Sequence, residues 1–274
     1  MDKNSRLTQS IFESFHPNIT FLNVLEDYKE KHSLESSEIV ILEWGCGRGE
    51  LVLWLRLRGY QAFGVELNPK HLKQSRELYE KFQISHDFLQ TINDSNANPF
   101  HEKSINIICS FQVLEHVRNL QSLALNHSIL LKPEIGLALH VFPGSFRPVE
   151  PHICYPFVHW LPKIYLRFLY LYFYGSLIRG KPLAEARRQA SQDTNYLKDS
   201  TFYRSINEIL KLFQSNQLHA FVSLLSHKKI QQSTTLRSIL KLPLVGPWFM
   251  RFLSSITTVY LFVQSNSAPY PQQN

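Results

Sequence analysis

Cysteine is scarce in this chain: Cys46, Cys109 and Cys154 are its three cysteines in 274 residues, far apart and without a Cys-x-x-Cys pair. Neither a zinc cluster nor a disulfide framework is suggested, and a reducing, cytoplasmic setting fits. Long apolar runs are missing too. The opening MDKNSRLTQS holds no signal-peptide core, and no uncharged stretch is long enough to cross a bilayer, so the chain is expected to stay inside the cell. A compact basic tract is also absent. Net charge is +7, from 29 Lys and Arg against 22 Asp and Glu, which raises nucleic acid, anionic lipid or an acidic small molecule as partners. The basic residues, among them Lys163, Arg167, Arg179, Lys181, Arg187 and Arg188, are dispersed without interleaved stacking aromatics, so nucleic acid is not expected. No internal repeat is visible.

What is present is 44% hydrophobic and 19% charged, the make-up of a folded globular protein. The length suits one α/β domain with a sizeable insertion. From Glu38 onward, short apolar runs alternate with helical patterns, as parallel strands joined by right-handed crossovers do. The strand candidates are IVILEWGCG, QAFGVEL, a weaker one around Ile84 to Phe88, INIICSF and GLALHVFP. Between them lie LVLWLRLRG, stopped at Gly59, a helix opened by Asn68 and Pro69, and one from about Leu120 to Lys132, ended by Pro133. Residues 93–103 read as a polar loop, and residues 8–32 as one or two amphipathic helices carrying Phe21, Leu25 and Tyr28.

Beyond Pro143 the pattern breaks into prolines and aromatics. The expected architecture is α/β: a doubly wound, mostly parallel sheet with an N-terminal helical segment (1–37) and a core (38–143). An aromatic-rich helical cap (144–215) is inserted after the fifth strand, and C-terminal strands AFVSLL and TTVYLFVQ (216–264) complete the sheet before a frayed tail (265–274).

One motif carries chemistry. Glu43, Gly45, Gly47 and Gly49 stand at alternate positions where a strand gives way to a helix, so the backbone can turn sharply and approach a ligand. A dinucleotide fingerprint would need its third glycine at position 50, which is Glu50, and a carboxylate beside a pyrophosphate is unfavourable. A nucleoside ligand carrying positive charge tolerates it.

An acidic residue followed by Gly-x-Gly-x-Gly resembles the first motif of the class I S-adenosylmethionine-dependent methyltransferases, a Rossmann-like family, and the resemblance covers residues 38–142. It implies S-adenosyl-L-methionine as cofactor, cradled at Glu43, Gly45, Gly47 and Gly49. Glu66, ending the second strand beside Leu67, is implied to bind the ribose hydroxyls, a role suited to a carboxylate. Asp87, with Phe88, is implied to follow the third strand and reach the adenine, while Ser110 and Gln112 line the far side of the cofactor. Asn106 departs from the family, whose members often carry Asp there.

Methyl transfer is an in-line displacement that needs orientation and, for poor nucleophiles, a base. His116, Glu150 and His152 are the candidate catalytic residues, after the fourth and fifth strands, where ligands bind in such sheets. The stretch also resembles ubiquinone-type O-methyltransferases, whose Glu-x-x-Glu-His run carries a metal. Here Gln112 replaces the first glutamate ahead of Glu115 and His116, which weakens a hard-cation site, and no metal is assigned. The expected acceptor is a small molecule, aromatic or lipidic, methylated on oxygen or nitrogen. Lys163 and Arg167 argue against a spanning helix in the cap and leave peripheral membrane contact open. Methylation of RNA or protein, and a non-catalytic binding role, remain the alternatives.

Overall fold

The computed structural model of the chain describes residues 15–92, 100–223, 232–235, 238 and 245–265. Its strands are β1 (Val40–Trp44), β2 (Gln61–Glu66), β3 (Leu89–Thr91), β4 (Ile107–Phe111), β5 (Leu137–Pro143), β6 (Leu218–Val222) and β7 (Thr258–Ser265). They form one sheet in the order β3-β2-β1-β4-β5-β7-β6. The first five run parallel, and β7 enters antiparallel between β5 and β6.

Alternation along each strand builds two cores. Ile41, Ile107, Leu139 and Val141 face one side, where α1 (Ile19–His32), α2 (Glu50–Arg56) and α3 (Pro69–Lys81) bury Phe21, Tyr28, Leu55 and Tyr79. Leu42, Ile108, Ala138 and Phe142 face the other, against Leu123 and Ala124 of α4 (Leu120–Leu130) and Ile209, Leu210 and Phe213 of α7 (Ile206–Ser215). The helices begin as their caps dictate. Asn18 accepts from the Thr20 and Phe21 N–H groups, Asn68 from Lys70, Asn119 from Ser122 and Ser205 from Glu208.

Two expectations shift. The third strand begins at Leu89 rather than Ile84, because the Ser85 hydroxyl accepts from the Asp87 N–H and winds His86–Phe88 into a 3-10 turn. Helix α7, read as part of the cap, lies on the sheet, since Ile206, Ile209, Leu210 and Phe213 share one face. Outside the sheet, α5 (Ile164–Phe173), a π-turn (Tyr174–Ile178) and α6 (Leu183–Asp199) enclose a small core of Tyr155, Val158, Leu171, Ala190 and Leu197. Residues 8–14 of the expected first helix, positions 93–99 of the polar loop, the last two residues of AFVSLL and positions 266–274 lie outside the described residues.

Two polar groups knit the sheet. Asn106, fully buried, accepts from the Val40 N–H (3.0 Å) and the Lys132 ammonium (2.9 Å) and donates to the Tyr28 hydroxyl (3.1 Å). An amide does both at once, which is what this departure from the family achieves. On the opposite face His127 and His140 are wholly buried, their rings 5.0 Å apart. Burial holds His127 down to about 4, and burial with the nearby His127 holds His140 well below its ordinary value.

Both imidazoles are therefore neutral in the folded chain and protonate on unfolding once pH drops below about 6.5. Stability is fully present above that value and is lost as pH falls toward about 4. Urea unfolding is expected to show a stability that declines steadily across this window, His127 contributing about 3 kcal/mol of the loss. In His127→Gln the decline flattens. A wild-type midpoint unchanged between pH 7 and pH 5 contradicts this account.

Candidate active site

The glycine bend lies between β1 and α2, at the carboxyl end of the parallel strands. Gly45 has φ +74°, and a Cβ there would come within 2.6 Å of Val113 Cγ2, so only glycine lets the two segments meet. Gly47, at φ +55°, faces open space. Gly49 closes the bend as the residue before α2. Glu66, at the end of β2, reaches across: its carboxylate accepts from the Gly47 N–H (2.9 Å) and the Asn68 N–H (2.9 Å). The bend and the end of the second strand therefore come together.

Negative charge gathers there. Glu43 is buried with Oε2 free of hydrogen bonds, and burial, then Glu50 and Glu66, push its carboxyl well above the usual range. Arg48 pairs with Glu50 at 2.6 Å and offsets part of this. A ligand bearing an ammonium or sulfonium fits such a cradle, and a diphosphate does not.

Other expected cofactor residues lie differently. Asp87 and Phe88 stand ahead of β3, and since Leu89 pairs with Gly64 and Thr91 with Glu66, they sit at the opposite end of the strand from Glu66. The acidic position after the third strand is therefore not Asp87, whose carboxylate accepts from Ser85 (2.9 Å). Phe88 instead packs under the Arg56 guanidinium, 3.4 Å from its centroid. Ser110 is wholly buried and hydrogen-bonds His140 at 2.7 Å, so it faces the α7 side of the sheet and not the bend. Gln112 and Leu67 are exposed at the strand ends. Gln112 adopts φ +57°, a left-handed conformation that turns the chain so that Val113 meets Gly45.

Two residues beyond Val113 the second half of the site begins. Glu115, His116, Glu150 and His152 converge, joined by Tyr203 from the segment between α6 and α7. Glu150 is wholly buried and accepts four hydrogen bonds: from the His152 N–H (2.8 Å), the Ile153 N–H (2.7 Å), His152 Nδ1 (2.7 Å) and the Tyr203 hydroxyl (2.6 Å). Burial works to raise its carboxyl, but the bonds from His152, Tyr203 and Ile153 prevail and leave it below the usual range. The Glu150 bond in turn raises His152. Glu115 is buried with neither oxygen hydrogen-bonded, and burial raises it to about 7.

Tautomers follow from the partners. Ser200 offers His116 Nδ1 only a carbonyl (2.5 Å), and ionised Glu150 offers His152 Nδ1 only acceptors, so both Nδ1 atoms donate and both Nε2 atoms are free to act. His152 Nε2 lies 3.9 Å from Glu115 Oε1, and the two imidazoles meet edge to face at 4.8 Å. A narrow cleft opens beside Glu115, lined by Leu114, Phe142, Tyr203 and Arg204. His159 packs against the Tyr203 ring at 5.0 Å. Glu115 and Tyr203 were not among the expected catalytic residues. Nothing local marks Tyr203, whereas Glu115, beside His116 at the end of β4, was readable as a neighbour.

A family model described as a methyltransferase domain matches residues 19–222, well over half of the chain. Among curated proteins, the ubiquinone biosynthesis O-methyltransferase of Rickettsia bellii is 24% identical over 118 residues, 43% of this chain and 48% of that protein. The protein of the same name from Actinobacillus pleuropneumoniae is 30% identical over 125 residues, 44% of this chain and 53% of its own. The chain thus spans about half the length of the curated relatives it matches. Among solved structures, that of PKMT2 from Rickettsia typhi has a similar fold, with a TM-score of 0.55 at 15% identity, covering 88% of this chain and 51% of that one. With the glycine bend, its acidic partners and the seven-stranded sheet in place, the chain belongs to the methyltransferase domain family, in its Rossmann-like, S-adenosylmethionine-dependent class.

Proposed function

We propose that this chain transfers a methyl group from S-adenosylmethionine to an oxygen, or less readily a nitrogen, of a small aromatic or lipidic molecule, with His152 as general base. The observation that carries the reading is the His152–Glu150–Tyr203 array standing next to the turn that touches the glycine bend. Oxygen is favoured because a hydroxyl acceptor needs a base and this site supplies one. The O-methyltransferase names of the relatives support the same atom.

Bound S-adenosylmethionine supplies a methyl group on a positively charged sulfur. Gly45 and Gly47 would give the backbone room to approach it, Glu66 would bind its ribose hydroxyls, and Glu43 would stand toward its positive charge. His152 Nε2 would accept the proton of the acceptor hydroxyl, freeing its oxygen to take the methyl group that the cofactor would supply. Glu150 holds the imidazole in the tautomer that can do so, and Tyr203 holds Glu150. Glu115 lies where it faces the imidazolium that forms.

Calorimetry with S-adenosylhomocysteine tests the cofactor half. The wild type is expected to bind, and Glu66→Ala to bind about 10- to 100-fold more weakly, the loss of hydrogen bonds to a charged group. Folded wild type that fails to bind ends the proposal.

The catalytic half is read from label transferred out of methyl-tritiated S-adenosylmethionine to a panel of phenols with and without apolar tails. His152→Gln is expected to lower kcat by about 100- to 10,000-fold while leaving S-adenosylhomocysteine affinity unchanged. Because His152 works only when neutral and its pKa is raised, kcat climbs with pH and levels off above the ordinary histidine value. Glu150→Gln removes the bond that raises it, so the rising limb moves to lower pH. A profile that does not move refutes the assignment of the base.

A second reading rests on the same cluster. Donor atoms of Glu115, His116 and His152 lie within 4.8 Å of one another, and each imidazole has its Nδ1 held by a hydrogen-bonding partner, the arrangement that orients metal-ligating histidines. Two nitrogens and a carboxylate suit a borderline divalent cation such as zinc, which would acidify an acceptor hydroxyl. Under this reading the protein equilibrated with zinc and desalted retains about one ion per chain by elemental analysis. Glu115→Gln releases it without changing S-adenosylhomocysteine affinity. Protein that retains none leaves His152 as base.

A further inference from the structure

Among the described residues, the cap leaves a stripe of large apolar side chains in water. Tyr165, Leu169 and Phe173 recur every four residues along α5, and Leu177 follows at the same interval in the π-turn. They are 54%, 44%, 52% and 75% exposed. Ile178 and Leu183 are exposed beside them. The cap's own packing does not use this stripe, because α5 buries Leu171 and turns Phe168 and Tyr170 toward Tyr155 and Leu197. A helix bordering water alone carries polar residues on its outer face, so a sustained apolar stripe marks a contact surface.

The surrounding charge is mainly positive. From position 151 to position 188 the chain carries Lys163, Arg167, Arg179, Lys181, Arg187 and Arg188 against one carboxylate, Glu185, which pairs with Lys181 at 3.5 Å, while Arg167 turns inward to the Leu161 and His159 carbonyls. Lys163 stands at the start of α5 with its ammonium 5.7 Å from the Tyr165 ring, and Arg187 and Arg188 follow, exposed, early in α6. No helix among the described residues is long and apolar enough to cross a membrane. An apolar stripe edged by cations, too short to span, is the pattern of a helix that lies in the plane of an anionic bilayer surface, its apolar face among the acyl chains and its basic side chains at the headgroups.

We propose that the Tyr165–Leu169–Phe173–Leu177 face docks this chain on the surface of an anionic lipid bilayer. A second copy of the chain fits less well. A twofold interface through this face would set the same basic residues against themselves, with Glu185 the single carboxylate between 151 and 188 to pair them. Docking would bring the bilayer to the cap that closes the active site, where Tyr196 of α6 packs on His152 with ring centroids 5.7 Å apart. An apolar acceptor would then have a path from lipid. The docking itself stands apart from the methyl-transfer reading and is tested without it.

Co-sedimentation with vesicles decides the matter. The wild-type chain is expected to pellet with vesicles of equimolar phosphatidylglycerol and phosphatidylcholine, to pellet less as salt rises, and to stay largely soluble with phosphatidylcholine alone. The triple variant Leu169→Ser, Phe173→Ser, Leu177→Ser is expected to lose at least about tenfold in partitioning. Circular dichroism and the urea midpoint confirm that the variant is folded. Wild type that ignores anionic vesicles overturns the proposal, and so does a folded triple variant that binds them equally. So does a wild-type dimer that the triple variant breaks and that does not bind vesicles.

Discussion

One carboxylate ties the glycine bend to two elements at once, beside the Val65 carbonyl, which accepts from the Gly45 and Cys46 N–H groups. Glu66 accepts from the backbone of Gly47 on one side and of Asn68 on the other, so the loop after β1 and the start of α3 are pinned to the end of β2. Hydrogen bonds to an ionised acceptor contribute about 1.5–3 kcal/mol each, enough to keep a segment with three residues at positive φ in one conformation. The same charge sets what the bend can bind. Burial, and then the nearby carboxylates of Glu50 and Glu66, push Glu43 toward its neutral form. A cationic ligand relieves that repulsion, and an anionic one adds to it.

A second buried carboxylate organises the other half of the site by the opposite means. Glu150 stays ionised in a dry place because four donors surround it, and without them burial of the charge would cost several kcal/mol. Glu115, a few ångströms beyond His152, lacks such donors and is raised to about 7. Two residues of one type, on either side of one imidazole, thus differ in charge because their surroundings differ, which separates their roles. Glu150 orients His152 and raises its pKa, and Glu115 is poised to change charge near neutral pH.

How much of this was legible in the sequence depended on how local each cause is. The parallel sheet followed from apolar runs such as INIICSF alternating with helical stretches, and the bend from glycines spaced within one turn. Glu66 was legible because it ends a strand whose length the apolar run defines. Asp87 was not, since whether a short third strand starts before or after it rests on one Ser85 hydroxyl bond. Ser110 was placed along the cofactor by family analogy, but the pleat turns it toward His140. The partners that make Glu150 and His116 chemically distinct come from 53 and 84 residues away, a separation that no periodicity encodes.

The two halves are joined by a short stretch of chain. Gln112 takes a left-handed turn, Val113 rests on Gly45, and Glu115 and His116 follow at once. From the other side the cap grips the same turn: the Phe202 N–H donates to the Glu115 carbonyl, the Ser200 carbonyl receives His116, and Arg204 donates to the carbonyls of Val117 and Arg118. A packed contact such as Val113 on Gly45 resists compression, because close-packed interiors have little free volume to absorb a shift. Any ligand that moves the bend must therefore move Glu115, His116, their partners and the cap segment that holds them. The shape of the bend and the alignment of the His116 and His152 imidazoles are then one structural condition rather than two.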